Sequence, residues 1–147
     1  MLANGLKVNF IKMDMDAITP TYAKEGDCCC DLYSVEEVTL PRFGRALVDT
    51  GIAMEIPEGF EVQIRPRSGN AWKYGVTVLN TPGTIDEGFR NSFKVILVNL
   101  GDDSYTVKKG DRIAQAKFSP YYTAYFFEVD RLTETERGLN GCGSTGN

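Results

Sequence analysis

Short apolar runs recur along this chain with glycine or proline between them, a pattern that predicts many short strands folded into a β-sandwich or barrel. Residues 7–12 alternate apolar and polar and predict a first strand. Residues 28–34 predict a second, and runs at 37–40, 45–48, 52–56 and 61–65 follow, separated by Pro41, Gly44, Gly51, Pro57 and Gly59. Residues 76–79 and 105–108 read the same way. Residues 93–100 are the most apolar run, and their β-branched content predicts a central strand. A strand at 113–118 precedes Pro120, and the aromatic run 121–129 predicts one more. No basic residue lies between Lys117 and Arg131, so these aromatics are expected to pack in the core and not to stack on bases. One helical turn interrupts the pattern at 67–75, with Ser68 placed as its N-cap and Gly75 suited to a left-handed C-terminal position. The expected fold is therefore all-β with one short helix.

Composition narrows the picture. With 147 residues the chain makes one ordinary domain that buries roughly 70% of the surface its unfolded form exposes. No apolar run approaches the ~20 residues that span a bilayer, and residues 7–12 lack the continuous apolar core of a leader. A soluble protein of the cytoplasm is expected, or of the host cytoplasm if the source is viral. The net charge of −4 comes from 16 scattered Lys and Arg against 20 Asp and Glu, which argues against nucleic-acid binding. Any anionic ligand must be met by a local cluster. Cys28, Cys29 and Cys30 are contiguous and cannot all face one metal ion, so they read as small, partly buried side chains in a reducing compartment. With no histidine in the sequence, a general base must be a carboxylate, lysine, tyrosine or thiolate.

Three stretches carry candidate chemistry. Residues 81–90 (TPGTIDEGFR) form a glycine-rich turn between two apolar runs, holding acids, an aromatic and a guanidinium with Ile85 as the aliphatic anchor. The start of the predicted helix, at Arg67 and Ser68, offers free amides beside a guanidinium, a generic anion site. From Thr133 the chain becomes polar and then crowded with glycine, which divides it into a β domain at 1–132 and a flexible arm at 133–147. There Arg137, Ser144 and Thr145 supply donors for a phosphate.

Taken together, these segments resemble the trimeric dUTPase family. The resemblance runs through Asp31-Leu32-Tyr33-Ser34, then Pro66-Arg67-Ser68-Gly69 with Ala71 and Lys73, then residues 80–90, then Gly110-Asp111-Arg112-Ile113-Ala114-Gln115, and last Arg137-Gly138 with Gly143-Ser144-Thr145-Gly146. It covers nearly the whole chain from Tyr22 on. It implies a distorted β-barrel or jelly-roll subunit with a glycine-rich C-terminal flap, in a homotrimer with shared active sites. The implied reaction is Mg²⁺-dependent hydrolysis of dUTP to dUMP and pyrophosphate, which lowers dUTP and supplies dUMP for thymidylate synthesis.

By the same resemblance Asp86 is the base that activates the attacking water. Arg67, Ser68, Gly69, Gln115, Arg137, Gly143, Ser144 and Thr145 cradle the triphosphate, and Asn80, Gly83, Thr84, Ile85 and Lys94 face the nucleoside. Phe89 lies against the deoxyribose, and Asp31 holds the Mg²⁺ through water. The sequence departs from the family pattern at four places. Phe89 stands where tyrosine is usual, Asn91-Ser92 replaces a Gly-Glu type of pair, and Cys28-Cys29 replaces Ala-Gly. Cys142 replaces the phenylalanine that stacks on uracil, which puts efficiency in question. Two alternatives stay open: a dCTP deaminase of the same fold using Glu87, and a non-catalytic dUTP-binding protein with a regulatory protein partner not marked in the sequence.

Overall fold

The computed structural model describes residues 5–139. Eleven strands and one helix follow in chain order: β1 (Asn9–Lys12), β2 (Cys30–Tyr33), β3 (Val38–Leu40), β4 (Arg45–Asp49), β5 (Ile52–Glu55), β6 (Phe60–Arg65), α1 (Ser68–Tyr74), β7 (Val76–Val78), β8 (Gly83–Ile85), β9 (Lys94–Asn99), β10 (Tyr105–Val107) and β11 (Arg112–Pro120). They make a four-stranded sheet in the order β2-β11-β6-β8, a three-stranded sheet in the order β4-β9-β7, and two ribbons, β1-β5 and β3-β10. Every pairing between named strands is antiparallel. The all-β class with one short helix is as the sequence predicts, and these distorted sheets have a jelly-roll character.

Alternation explains the core. Val62 and Ile64 of β6 and Ala114 and Ala116 of β11 point inward from the larger sheet, and Val95 and Leu97 of β9 with Val76 and Val78 of β7 from the smaller one. All of them belong to one buried cluster that also holds Leu32, Val48 and Phe93. The opposite face of the larger sheet is polar: Arg65 donates to Gln63 and Gln63 to Glu61, two residues apart along β6, both at 2.7 Å.

Helix α1 buries none of its residues and is held from outside. Gly75 ends it at φ +68°, and a β-carbon there would come within 2.5 Å of the Gly101 nitrogen, so glycine is required for both conformation and space. Leu100 N–H donates to the Gly75 carbonyl at 2.9 Å, and Asn70 reaches the Arg112 carbonyl at 3.3 Å. The N-cap differs from expectation. Arg67 occupies it with extended backbone and no side-chain hydrogen bond, and Ser68 is the first helical residue.

The aromatic run departs most from expectation. Residues 121–129 form no strand within the chain, and Tyr122, Tyr125, Phe126 and Phe127 are 83–96% exposed. The run leaves β11 at Pro120 and pairs with neither edge strand of the larger sheet, β2 or β8. No helix among the described residues is long and apolar enough to cross a membrane.

Candidate active site

The larger sheet carries both chemical centres of the sequence, at opposite edges. On β2, Asp31 lies across from Gln115 of β11, which lies across from Arg65 of β6. Period-two geometry therefore puts Asp31 and Gln115 on the same face. Arg67 reaches back from the end of β6, and Arg112 stands at the start of β11, where a bulge shifts the register between Arg112 and Ala114. The Asp31 carboxylate is 4% exposed and accepts from Arg67 Nε at 3.2 Å, Arg112 at 3.2 Å and Gln115 Nε2 at 3.3 Å. Its backbone N–H also donates to the Thr21 carbonyl at 2.8 Å. One carboxylate against two guanidinium groups leaves this cluster with a net charge of +1 in a protein of net charge −4. Arg112 belongs to a quoted motif but was given no role there. Its odd spacing of three from Gln115 predicts the opposite face of the strand, and the bulge between Arg112 and Ala114 is what turns it to Asp31, so no sequence signal marks it.

On the other edge, the turn expected at 81–90 is in part a strand. Gly83, Thr84 and Ile85 of β8 pair with Ile64, Gln63 and Val62 of β6. The stretch is therefore no hairpin loop, because β7 pairs in the smaller sheet and the chain crosses between sheets at residues 79–82. Ile85 packs half-buried against the core, as an anchor should. Asp86 follows at once and is exposed, and among the described residues it makes no ion pair. A tight turn closes behind it, with Phe89 N–H donating to the Asp86 carbonyl at 3.0 Å, while the Arg90 guanidinium folds back onto the Glu87 and Phe89 carbonyls. Phe89 is 39% exposed and lies tilted against the buried Phe93 ring, 6.2 Å between centroids. Asn80 and Thr84 are exposed, and Asn80 lines the Gly83 backbone closely enough that a β-carbon on Gly83 would meet it at 3.3 Å.

Glu87 is held: it accepts from the Gly59 N–H at 2.8 Å. Lys94, at the start of β9, pairs with Asp49 at 3.6 Å, and Asp49 also accepts from Ser92 and from Gly51 N–H. Burial opposes ionisation of Asp49, but the Ser92, Gly51 and Lys94 contacts outweigh it and hold its carboxyl below the usual range.

The two centres are far apart within one chain. β2 and β8 are separated by three strand spacings, ~14 Å, and Asp86 sits about four residues, ~13 Å, further along the sheet than Asp31. Arg67, Gln115 and Asp31 are thus brought together, as are Asn80, Gly83, Thr84, Asp86 and Phe89, but the two groups are not brought to each other. Ser68 and Gly69 are exposed beside the first group. Arg137 is exposed, while Cys142, Gly143, Ser144 and Thr145 lie outside the described residues.

A divalent cation finds limited protein donors. Among the described residues no three His, Cys, Asp or Glu side chains are placed to hold one. The one carboxylate in the cationic cluster, Asp31, suits the mode in which Mg²⁺ takes one protein carboxylate and completes its shell with waters and phosphate oxygens. The cysteine triplet is no alternative centre, because the Cys30 thiol turns inward to the Ala116 carbonyl at 3.6 Å while Cys28 and Cys29 face out.

Residues 15–146 match the dUTPase family. The chain is 52% identical over 141 residues to a deoxyuridine 5'-triphosphate nucleotidohydrolase of Clostridium novyi, covering 96% of this chain and 99% of the relative. It is 50% identical over 141 residues to another of that name from Wolinella succinogenes, covering 96% and 95%. Among solved structures, Staphylococcus bacteriophage 80alpha dUTPase with dUPNHPP superposes with a TM-score of 0.90 at 25% identity, covering 96% of this chain and 99% of that one. With its motifs in order on this fold and relatives at half identity over nearly its whole length, the chain belongs to the dUTPase family.

Proposed function

We propose that this protein hydrolyses dUTP to dUMP and pyrophosphate, in a homotrimer whose active sites take residues from more than one chain. The observation that carries the reading is the separation of an exposed Asp86 from a cationic cluster on the far edge of the same sheet. A triphosphate held at Arg67 puts its α-phosphorus beyond reach of the same chain's Asp86, but not of Asp86 from a neighbour. The exposed run 121–129 supports assembly, because an apolar strip of this kind on a monomer marks an interaction surface.

In this mechanism Asp86 takes a proton from a water, the water oxygen bonds to the α-phosphorus, and the bond from that phosphorus to the bridging oxygen breaks to release pyrophosphate. A positioned base is worth ~10²–10⁴ in rate. The surplus positive charge of Arg67 and Arg112, with Gln115, the Ser68 and Gly69 amides and the arm's Arg137, Gly143, Ser144 and Thr145, meets the triphosphate and stabilises charge that develops on the leaving group. Asp31 would hold Mg²⁺ through water, and the ion would supply further neutralisation of the phosphates.

Asn80, Gly83, Thr84, Ile85 and Lys94 form the nucleoside side. Backbone there reads the uracil edge, and an amino group in place of the carbonyl leaves a buried donor unpaired at ~1–3 kcal/mol. Phe89, backed by Phe93, fills the space a 2′-hydroxyl needs, and Cys142 offers the base no stacking ring. The experiment is pyrophosphate release from dUTP, dTTP, dCTP and UTP side by side. Release from dUTP alone is expected. Ammonia from dCTP with dUTP intact, or dUTP binding with no pyrophosphate over hours, overturns the assignment.

A further inference from the structure

Glu87 stands beside the candidate base, and its carboxylate does not face the nucleotide region. It accepts from the Gly59 N–H at 2.8 Å. Gly59 occupies the third position of a four-residue turn closed by Phe60 N–H to the Pro57 carbonyl at 3.1 Å, and its φ of +79° is the conformation such a turn takes with glycine. The Gly59 carbonyl in turn accepts from Tyr121 N–H at 3.1 Å. These bonds form a circuit in series, from Glu87 through the Gly59 peptide to the Tyr121 backbone. Tyr121 is the first residue after β11, at the root of the exposed aromatic run.

We infer that Glu87 is a positioning residue for Asp86, and that through Gly59 and Tyr121 it couples the stiffness of the catalytic turn to the placement of the C-terminal segment. The inference rests on the dUTP-hydrolase reading above. Between Ile85, fixed by its pairing with Val62, and Phe89, fixed to the Asp86 carbonyl, the turn has one side-chain tether to the rest of the fold among its acids, and that tether is Glu87. Asp86 is exposed, so its own contacts do not hold its carboxylate in place. A base displaced by about 1 Å loses up to ~10²-fold in rate, which is the scale on which such a tether matters. When residues 121–129 seat on a neighbouring chain, Tyr121 is drawn to one position, and the bonds from Tyr121 N–H to the Gly59 carbonyl and from Gly59 N–H to Glu87 pass that constraint to the turn.

The test uses the full chain with dUTP and four variants. Glu87→Ala is expected to lower kcat roughly 10- to 100-fold with KM changed much less, because the water is misplaced while the nucleotide contacts persist. Glu87→Gln keeps one acceptor oxygen and is expected to recover part of the loss. Tyr121→Pro, which removes the N–H that donates to Gly59, is expected to give a smaller loss, and the double variant Glu87→Ala with Tyr121→Pro to be no worse than Glu87→Ala, since both break one circuit. Amide exchange at Phe89 and Gly59 is followed in the same variants, and faster exchange at both in Tyr121→Pro is expected. Losses that multiply in the double variant, or Phe89 exchange unmoved by Tyr121→Pro, overturn the coupling. Unchanged kcat in Glu87→Ala overturns the positioning role. If the wild-type chain releases no pyrophosphate, the functional reading fails, and the exchange result still decides whether the circuit exists.

Discussion

The two edges of the larger sheet are built to different states of completion. On β2, Asp31 is buried and has both oxygens committed to Arg67, Arg112 and Gln115. On β8, Asp86 is exposed and makes no ion pair among the described residues. The first edge is a closed electrostatic unit with a positive surplus, stable without a ligand. The second is a carboxylate on a stapled turn, with nothing beside it to act on. A buried carboxylate flanked by two guanidiniums costs too much to leave unpaired, so sequence that places it must also place its partners. An exposed base carries no such requirement within its own chain, and its partners are free to arrive from another.

Substitutions on the two edges should therefore fail differently. Asp86→Asn is expected to cut pyrophosphate release by ~10²–10⁴ while melting temperature and dUTP binding by calorimetry stay near wild type. Retained turnover breaks the assignment of the base. Removing residues 137–147 is expected to spare the fold and nearly abolish hydrolysis, and full activity in the shortened chain shows the arm is no lid.

Asp31→Ala strikes the finished edge, and there the expectation is lost stability of about 3 kcal/mol by denaturant unfolding, because two cations lose the carboxylate they share. Phe126→Ser with Phe127→Ser leaves both edges alone and is expected to shift the sedimentation of the native protein toward monomer, with activity falling in parallel. The smallest effect is alkaline. Burial pushes the Cys30 thiol up to about 11 from an ordinary 9.0, so the unfolded chain loses this proton first as pH rises. Stability is then expected to fall by about 1.4 kcal/mol per pH unit between those values, and Cys30→Ala to flatten that slope.

Much of this was legible in the sequence because turns announce themselves locally. Gly51, Pro57 and Gly59 bracket strands that form where expected, and Gly75 ends α1 in the left-handed conformation it suggested. What stayed hidden depends on partners distant along the chain. β8 is only three residues long inside a run of turn formers, and it is a strand because β6 offers an edge to it. Arg112 meets Asp31 across 81 residues, and Glu87 meets Gly59 across 28, contacts that no local pattern encodes. The aromatic run 121–129 was read as core because its composition demands burial. Composition cannot say whether the cover comes from the same chain, and within this one it does not.

Mixed assembly tests most directly whether the two edges serve each other across chains. Asp86→Asn and Arg67→Ala chains, each inactive alone, are unfolded together, refolded, and purified through two different tags so that every particle contains both. Restored pyrophosphate release from dUTP is the expected result, since an intact Asp86 edge of one chain then faces an intact Arg67 edge of another. If the doubly tagged assemblies form and remain as inactive as either parent, the site lies within single chains and the account is contradicted.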